Sequence, residues 1–232
     1  MVLLKGPFYA GTGSQVIAGG KSKEQQESDF AAGIGRVGGL WRNPSYFESY
    51  LLAAETLIQQ GRQCKNYDDI ALPAFYLQRH AVELLIKSVL GWLLDIQDLR
   101  AMVRDPGYTC DEEYRHEQLF GHGLSILMAR VQALCVDLEF PAPPAPLTAL
   151  VKQLTEVELT ETFARYSTSR RRKKGAPTIA HLAEEQVIEL EEIQRHLNEV
   201  AELAVERAFG RDSYEGELYT EWCRLDLILE SR

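Results

Sequence analysis

No stretch of this chain reaches the roughly 18 consecutive apolar residues of a membrane span, neither its start, MVLLKGPFYAG, nor any later segment. A soluble, unexported, cytoplasmic protein with no membrane partner is therefore expected. Cysteine is sparse. Cys64, Cys110, Cys135 and Cys223 are scattered without a C-x-x-C pair, which argues against both a structural zinc site and a disulfide framework. The histidines, His80, His116, His122, His181 and His196, never form H-x3-H or H-E-x-x-H, so no metal site is expected. No G-x-S-x-G nucleophile elbow occurs. Gly20-Lys21-Ser22 ends like a phosphate-binding loop, but Gln15 stands where the first glycine belongs and no strand precedes it, and no cofactor is expected. Positive charge is not in excess either. A formal charge of −9 excludes a globally basic nucleic-acid binder, so any RNA site must be local. No internal repeat is visible.

What is present is enough material, 232 residues, for one sizeable domain with appendages. Residues 1–40 hold nine of the seventeen glycines and read as an irregular arm; residues 41–210 read as one helical domain and 211–232 as a C-terminal helix or tail. The chain is organised around Leu72 to Leu93. Pro73 suits the first position of a helix, which would start there. At 100° per residue, Phe75, Leu77, Ala81, Val82, Leu84, Leu85, Ile86 and Val89 cover more than half the circumference, as in a central helix packed on several sides. Tyr76, Arg79, His80, Glu83 and Lys87 form a polar stripe on the remainder. Arg79, Glu83 and Lys87 are spaced i, i+4, i+8, and His80 lies three before Glu83, so one carboxylate can meet cations on both sides.

Around this helix the periodicity predicts others. One runs from Asn43-Pro44 until Gly61, and the central helix bends at Gly91 and fades near Leu99 or Val103. Residues 108–121 read as a polar connection. Helices follow from about His122 to Leu138 and from Leu147 to about Glu158, then a loop from Thr160 to Pro177 containing Arg170, Arg171, Arg172, Lys173 and Lys174. A long helix from Thr178 to Phe209 ends at Gly210; its apolar face could pair with a second copy. Tyr214, Leu218, Trp222, Leu225 and Ile228 predict a last, docking helix.

RHAVELLIK at residues 79–87, with Phe75 and Tyr76 before it and Gly121-His122-Gly123-Leu124 opening a later helix, resembles the bacterial HEPN-like helical proteins. Their central helix reads Arg-His-x-x-Glu-Leu-x-x-Lys and their next helix opens with Gly-His-x-Leu. Trp41-Arg42-Asn43-Pro44 with Tyr46 and Ala53-Ala54-Glu55 is similar to that family's first helix. Phe163-Ala164-Arg165-Tyr166 is similar to its Phe-Arg-Tyr-Pro segment, with Ala inserted and Ser167 replacing Pro. The resemblance covers roughly residues 41–167. It implies an all-α, HEPN-like helical bundle, a homodimer, and a bacterial stress or phage-defence setting. Many HEPN ribonucleases carry Arg-x4–6-His, whose residues from two protomers meet at a cleft where RNA is cut without metal by its own 2′-OH.

Two functions follow from different classes. One is RNA binding with metal-independent cleavage, with Arg79, His80, Glu83 and His122 in catalytic roles. Tyr76, Lys87, Arg115, Arg165, Tyr166 and the run Arg170, Arg171, Arg172, Lys173 would hold substrate, since histidine moves protons near neutral pH and basic side chains neutralise phosphates. The other is a non-catalytic module that binds a nucleotide or a protein partner and keeps the stripe as a buried salt-bridge network. Departures from the family pattern bear on the choice. Arg79 and His80 are adjacent, and the only literal Arg-x6-His, Arg115 to His122, falls in a predicted connection rather than inside a helix.

Overall fold

The computed structural model describes residues 23–35, 46–157, 168–170, 178–180, 185–205 and 212–232. The chain divides into two compact units, residues 1–46 and 47–232. In the first, the expected irregular arm contains a helix, α1 (Lys23–Ala31). Its sequence KEQQESDFA has no apolar face, so periodicity did not disclose it. The Gln25 amide donates to Asp29 one turn on.

The second unit is all-helical in class. α2 (Tyr46–Cys64) and α3 (Asp68–Arg104) form an antiparallel hairpin in which Gly61 lies against Ile70 and Tyr50 against His80. Gly61 does not end α2, as the sequence suggested. It lies inside it, where a Cβ would come 2.8 Å from the Tyr67 ring. The helix stops three residues later through Lys65, in the left-handed region at φ 54°, with the Asn66 N–H returning to the Gly61 carbonyl.

α3 starts at Asp68 rather than Pro73. The Asn66 side chain accepts from the Asp68 N–H, and Asp68 and Asp69 place negative charge at the positive end of the helix dipole. Pro73 is accommodated inside. The helix runs without interruption through Gly91 for 37 residues, about 55 Å at 1.5 Å per residue. Phe75, Leu85, Ile86, Leu90, Leu93, Leu94 and Ile96 are fully buried along it, the central position that its wide apolar arc predicts.

Residues 108–121 are not a plain connection. They hold α4 (Glu112–Leu119), capped by the Asp111 side chain on the Tyr114 N–H. α5 (Leu124–Asp137) and α6 (Ala145–Val157) follow close to their expected places. The stretch from Thr178 is not one long helix. Thr168–Arg170 (β1) pairs antiparallel with Thr178–Ala180 (β2), in the register Arg170 with Thr178, and α7 is only Leu190–Ala204. β-branched Thr178 and Ile179 favour extended backbone, which the apolar spacing at Ile179 and Leu182 concealed. Gly210, the expected terminator, is outside the described residues. α8 (Tyr214–Glu230) opens on a Ser213 cap and packs along α3, burying Leu218 and Leu225. The apolar face of α7 is buried against α6 and α3 through Ile193, Leu197, Val200 and Ala201, so the surface expected to pair with a second copy is occupied within the chain. Among the described residues no helix is long and apolar enough to cross a membrane.

Candidate functional site

The polar stripe of α3 closes on one carboxylate. Glu83 is 2% exposed, and all its partners among the described residues are basic. Arg79 Nη1 donates to Oε2 at 2.5 Å, Lys87 Nζ to Oε1 at 3.0 Å, and His80 Nδ1 lies 3.8 Å from Oε2. These three come from helical spacing alone. The fourth does not. His122, just before α5, sets its Nδ1 2.8 Å from Glu83 Oε1, and its backbone carbonyl accepts from Arg79 Nη2. The turn needs Gly121, whose φ of +105° is open to glycine but strained for other residues.

Charge and exposure divide the cluster into two layers. Burial alone would push the Glu83 carboxyl up, but His80, His122 and Lys87 donate toward it and hold it well below the usual carboxylate range. An ionised carboxylate only accepts, so the shared proton belongs to His122 Nδ1, and in the neutral ring Nε2 is the free acceptor. Arg79 is 4% exposed, with both terminal nitrogens engaged inside the protein. It is therefore a clamp on Glu83 and the His122 turn, not a ready phosphate grip. The outer layer consists of the His122 side chain, 52% exposed, with His80 and Lys87 at about a quarter. His80 is fixed between the stacked ring of Tyr76, with centroids 5.7 Å apart, and the edge-on ring of Tyr50 at 4.5 Å.

The other anticipated residues are elsewhere. Arg115 forks to Asp95 and Asp98, both at 2.5 Å, and so ties α4 to the far end of α3. Those carboxylates lie 12 and 15 residues beyond Glu83, about 18 and 22 Å along the helix, so the structure does not bring Arg115 and His122 together as a pair. Arg170 is described only by its backbone, in β1. Arg165, Tyr166, Arg171, Arg172 and Lys173 lie outside the described residues.

Sequence reasoning missed several participants. Tyr50 lies on α2, and no spacing rule links it to His80 on α3. Gln78, fully buried, donates to the Leu190 carbonyl and to Gln194 Oε1, so it fixes the start of α7 on α3. Its only signal was a polar residue inside the apolar arc. Asp98 is a second hub. It accepts from Tyr108 at 2.6 Å and from Cys110 at 3.2 Å besides Arg115. The hydrogen bond to Asp98 pushes the Tyr108 hydroxyl up to about 12; burial and the same carboxylate push the Cys110 thiol up to about 11. Among the described residues no three histidine, cysteine, aspartate or glutamate side chains gather where they could hold a metal ion.

The chain matches no protein-family model, no curated protein sequence and no solved structure.

Proposed function

We propose that this is a HEPN-like protein that binds RNA and cleaves it without a metal, with His122 as the base. The observation that carries this reading is the Glu83–His122 contact, a buried carboxylate orienting a half-exposed imidazole. Nucleophile-activating histidines are held by a third group in this way, because the carboxylate fixes the tautomer and stabilises the imidazolium that forms. In the reaction, Nε2 takes the proton of a ribose 2′-OH, and the 2′-oxygen attacks the adjacent phosphorus. The P–O5′ bond breaks, leaving a 2′,3′-cyclic phosphate. His80, when protonated, supplies a proton to the departing 5′-oxygen, while the Lys87 ammonium offsets charge on the phosphorane. Arg79, expected among the catalytic residues, takes a positioning role instead. The basic run from Arg170 to Lys174 adds a local positive strip to an acidic chain.

The second reading is a non-catalytic nucleotide- or protein-binding module. The near-complete burial of Arg79 and Glu83 favours it, since such pairs commonly hold elements in register.

The test is to incubate purified protein with labelled total RNA in EDTA, beside the His122→Ala and His80→Ala variants, and to separate products on a denaturing gel. Cleavage in EDTA that is lost in a folded His122→Ala variant supports the first reading. Intact RNA with the wild-type chain moves the conclusion to the module. Replacing residues 170–174 by serine should weaken RNA binding and flatten its salt dependence.

A further inference from the structure

Between α6 and α7 runs a groove of about 510 Å³, a size usual for small-molecule sites. Its two walls differ in chemistry. α6 contributes the apolar surface of Ala145, Pro146, Ala149 and Leu150. α7 contributes Glu192, His196 and Glu199, whose spacing of i, i+4, i+7 puts all three on one helix face, with the glutamates about 10 Å apart along the axis.

His196 ties the walls together. Its Nδ1 is 2.8 Å from Gln153 Oε1, and Arg195 Nη2 is 2.8 Å from its Nε2. A guanidinium only donates, so Nε2 accepts, Nδ1 carries the proton and the ring is neutral. The tie therefore brings no imidazolium to the two carboxylates. Glu192 has Arg195 at a loose 3.8 Å, and among the described residues no cation pairs with Glu199. Negative charge is in excess at this end of α7, since the hydrogen bond and charge of Glu192 push the Glu189 carboxyl up.

We propose that the groove binds a linear aliphatic polyamine, its outer ammonium groups on Glu192 and Glu199 and its methylenes along the apolar wall of α6. Charge and length together select that occupant. An acidic wall facing an apolar one suits a ligand that is cationic at its nitrogens and hydrocarbon between them. Nine bonds separate the outer nitrogens of spermidine, as they do those of an eight-carbon terminal diamine, the reach of three extended residues or about 10–11 Å. The five bonds of a four-carbon diamine reach only about 6 Å. Gln153 Oε1, which accepts one hydrogen bond from His196, has a second lone pair for the inner ammonium of a triamine. A compact divalent metal ion cannot answer both glutamates across that spacing. The site rests on α6 and α7 and is independent of the RNA reading.

Equilibrium dialysis of the RNA-free full chain against labelled spermidine tests it, with unlabelled diamines of four to eight carbons and magnesium as competitors. Binding should saturate at one site, and competition should strengthen as the diamine lengthens toward eight carbons. Magnesium should compete less well than the eight-carbon diamine of equal charge. Both glutamates are exposed, so Glu192→Gln and Glu199→Gln should fold, and each should weaken binding about two- to fivefold, the weight of one exposed ion pair. Ala149→Leu, which fills the apolar wall, should also weaken it, while Glu156→Gln, on α6 outside the groove, should bind as the wild type does. No saturable binding at millimolar spermidine overturns the proposal. So does equal competition by the four- and eight-carbon diamines or by magnesium, which would reduce the effect to general charge attraction, and so do folded glutamate variants that bind as the wild type does.

Discussion

Glu83 and His122 stand 39 residues apart in the chain and 2.8 Å apart in the fold. That one contact makes the polar stripe of α3 more than a helix-surface pattern, because it pins the turn before α5 onto the middle of the central helix.

Glu83→Gln should be severely destabilising. It takes away the carboxylate charge that the buried Arg79 guanidinium binds, a loss of about 3–5 kcal/mol. At about 2–4 °C per kcal/mol for a chain of this size, thermal unfolding should move down by on the order of 10 °C. Calorimetry reads this, and a shift under about 2 °C would show that the network contributes little to the fold.

His122→Ala is expected to behave differently. The ring is half exposed, so its removal should cost about 1 kcal/mol of stability, the value of one hydrogen bond, while cutting RNA turnover by a factor of about 10² or more. Turnover within twofold of wild type would remove His122 from the chemistry.

Acid should weaken the fold through two identifiable carboxylates. Glu83 is held below its ordinary range by His80, His122 and Lys87 against the opposing effect of burial; Glu221 is held at about 2 by Arg224 and Arg100, also against burial. A depressed folded-state pKa means the unfolded chain takes up protons first as pH falls. The stability from Glu221 is thus complete above about 4.5 and lost as pH falls toward about 2, and that from Glu83 is lost over a range extending lower. Urea unfolding at a series of acid pH values should show a smaller pH dependence in Glu221→Gln than in wild type; equal slopes would contradict the assignment.

Arg115→Ala should release α4 without touching the site. Hydrogen exchange of the amides in Glu112–Leu119 should quicken, and RNA cleavage should be unchanged, since Arg115 binds Asp95 and Asp98 far along α3 from Glu83. A loss of cleavage in a folded variant would return Arg115 to the substrate path.

Gly61→Ala probes packing rather than charge. The added methyl meets the Tyr67 ring at 2.8 Å, closer than carbon atoms pack, and overpacking of this kind costs about 1–3 kcal/mol. Tyr67 is itself anchored by its hydroxyl on Glu191, which limits its retreat. A melting temperature equal to wild type would show that the ring yields freely.

The central helix and its stripe were readable because burial imposes a period, and Arg79, Glu83 and Lys87 repeat at that period. His122 could be placed on Glu83 only by family resemblance or by coordinates, since no spacing rule links residues on different elements. α1 and α4 escaped notice for the opposite reason. KEQQESDFA and EEYRHEQL bury almost nothing apolar, and α4 is held by the Asp111 cap and the Arg115 ion pairs, which no hydrophobic pattern reports. Pro73 misled because proline at a helix start and proline within the second turn look alike in sequence; the Asn66 side chain decides between them.

The uninterrupted length of α3 has an evolutionary consequence. Its two carboxylate hubs, Glu83 and Asp98, share a backbone but, among the described residues, no side-chain partner, and about 22 Å of helix separates them. Substitutions at so great a distance combine additively. Descendants of this chain can therefore remodel the surroundings of Glu83 while inheriting the anchorage at Asp98 intact, or the reverse.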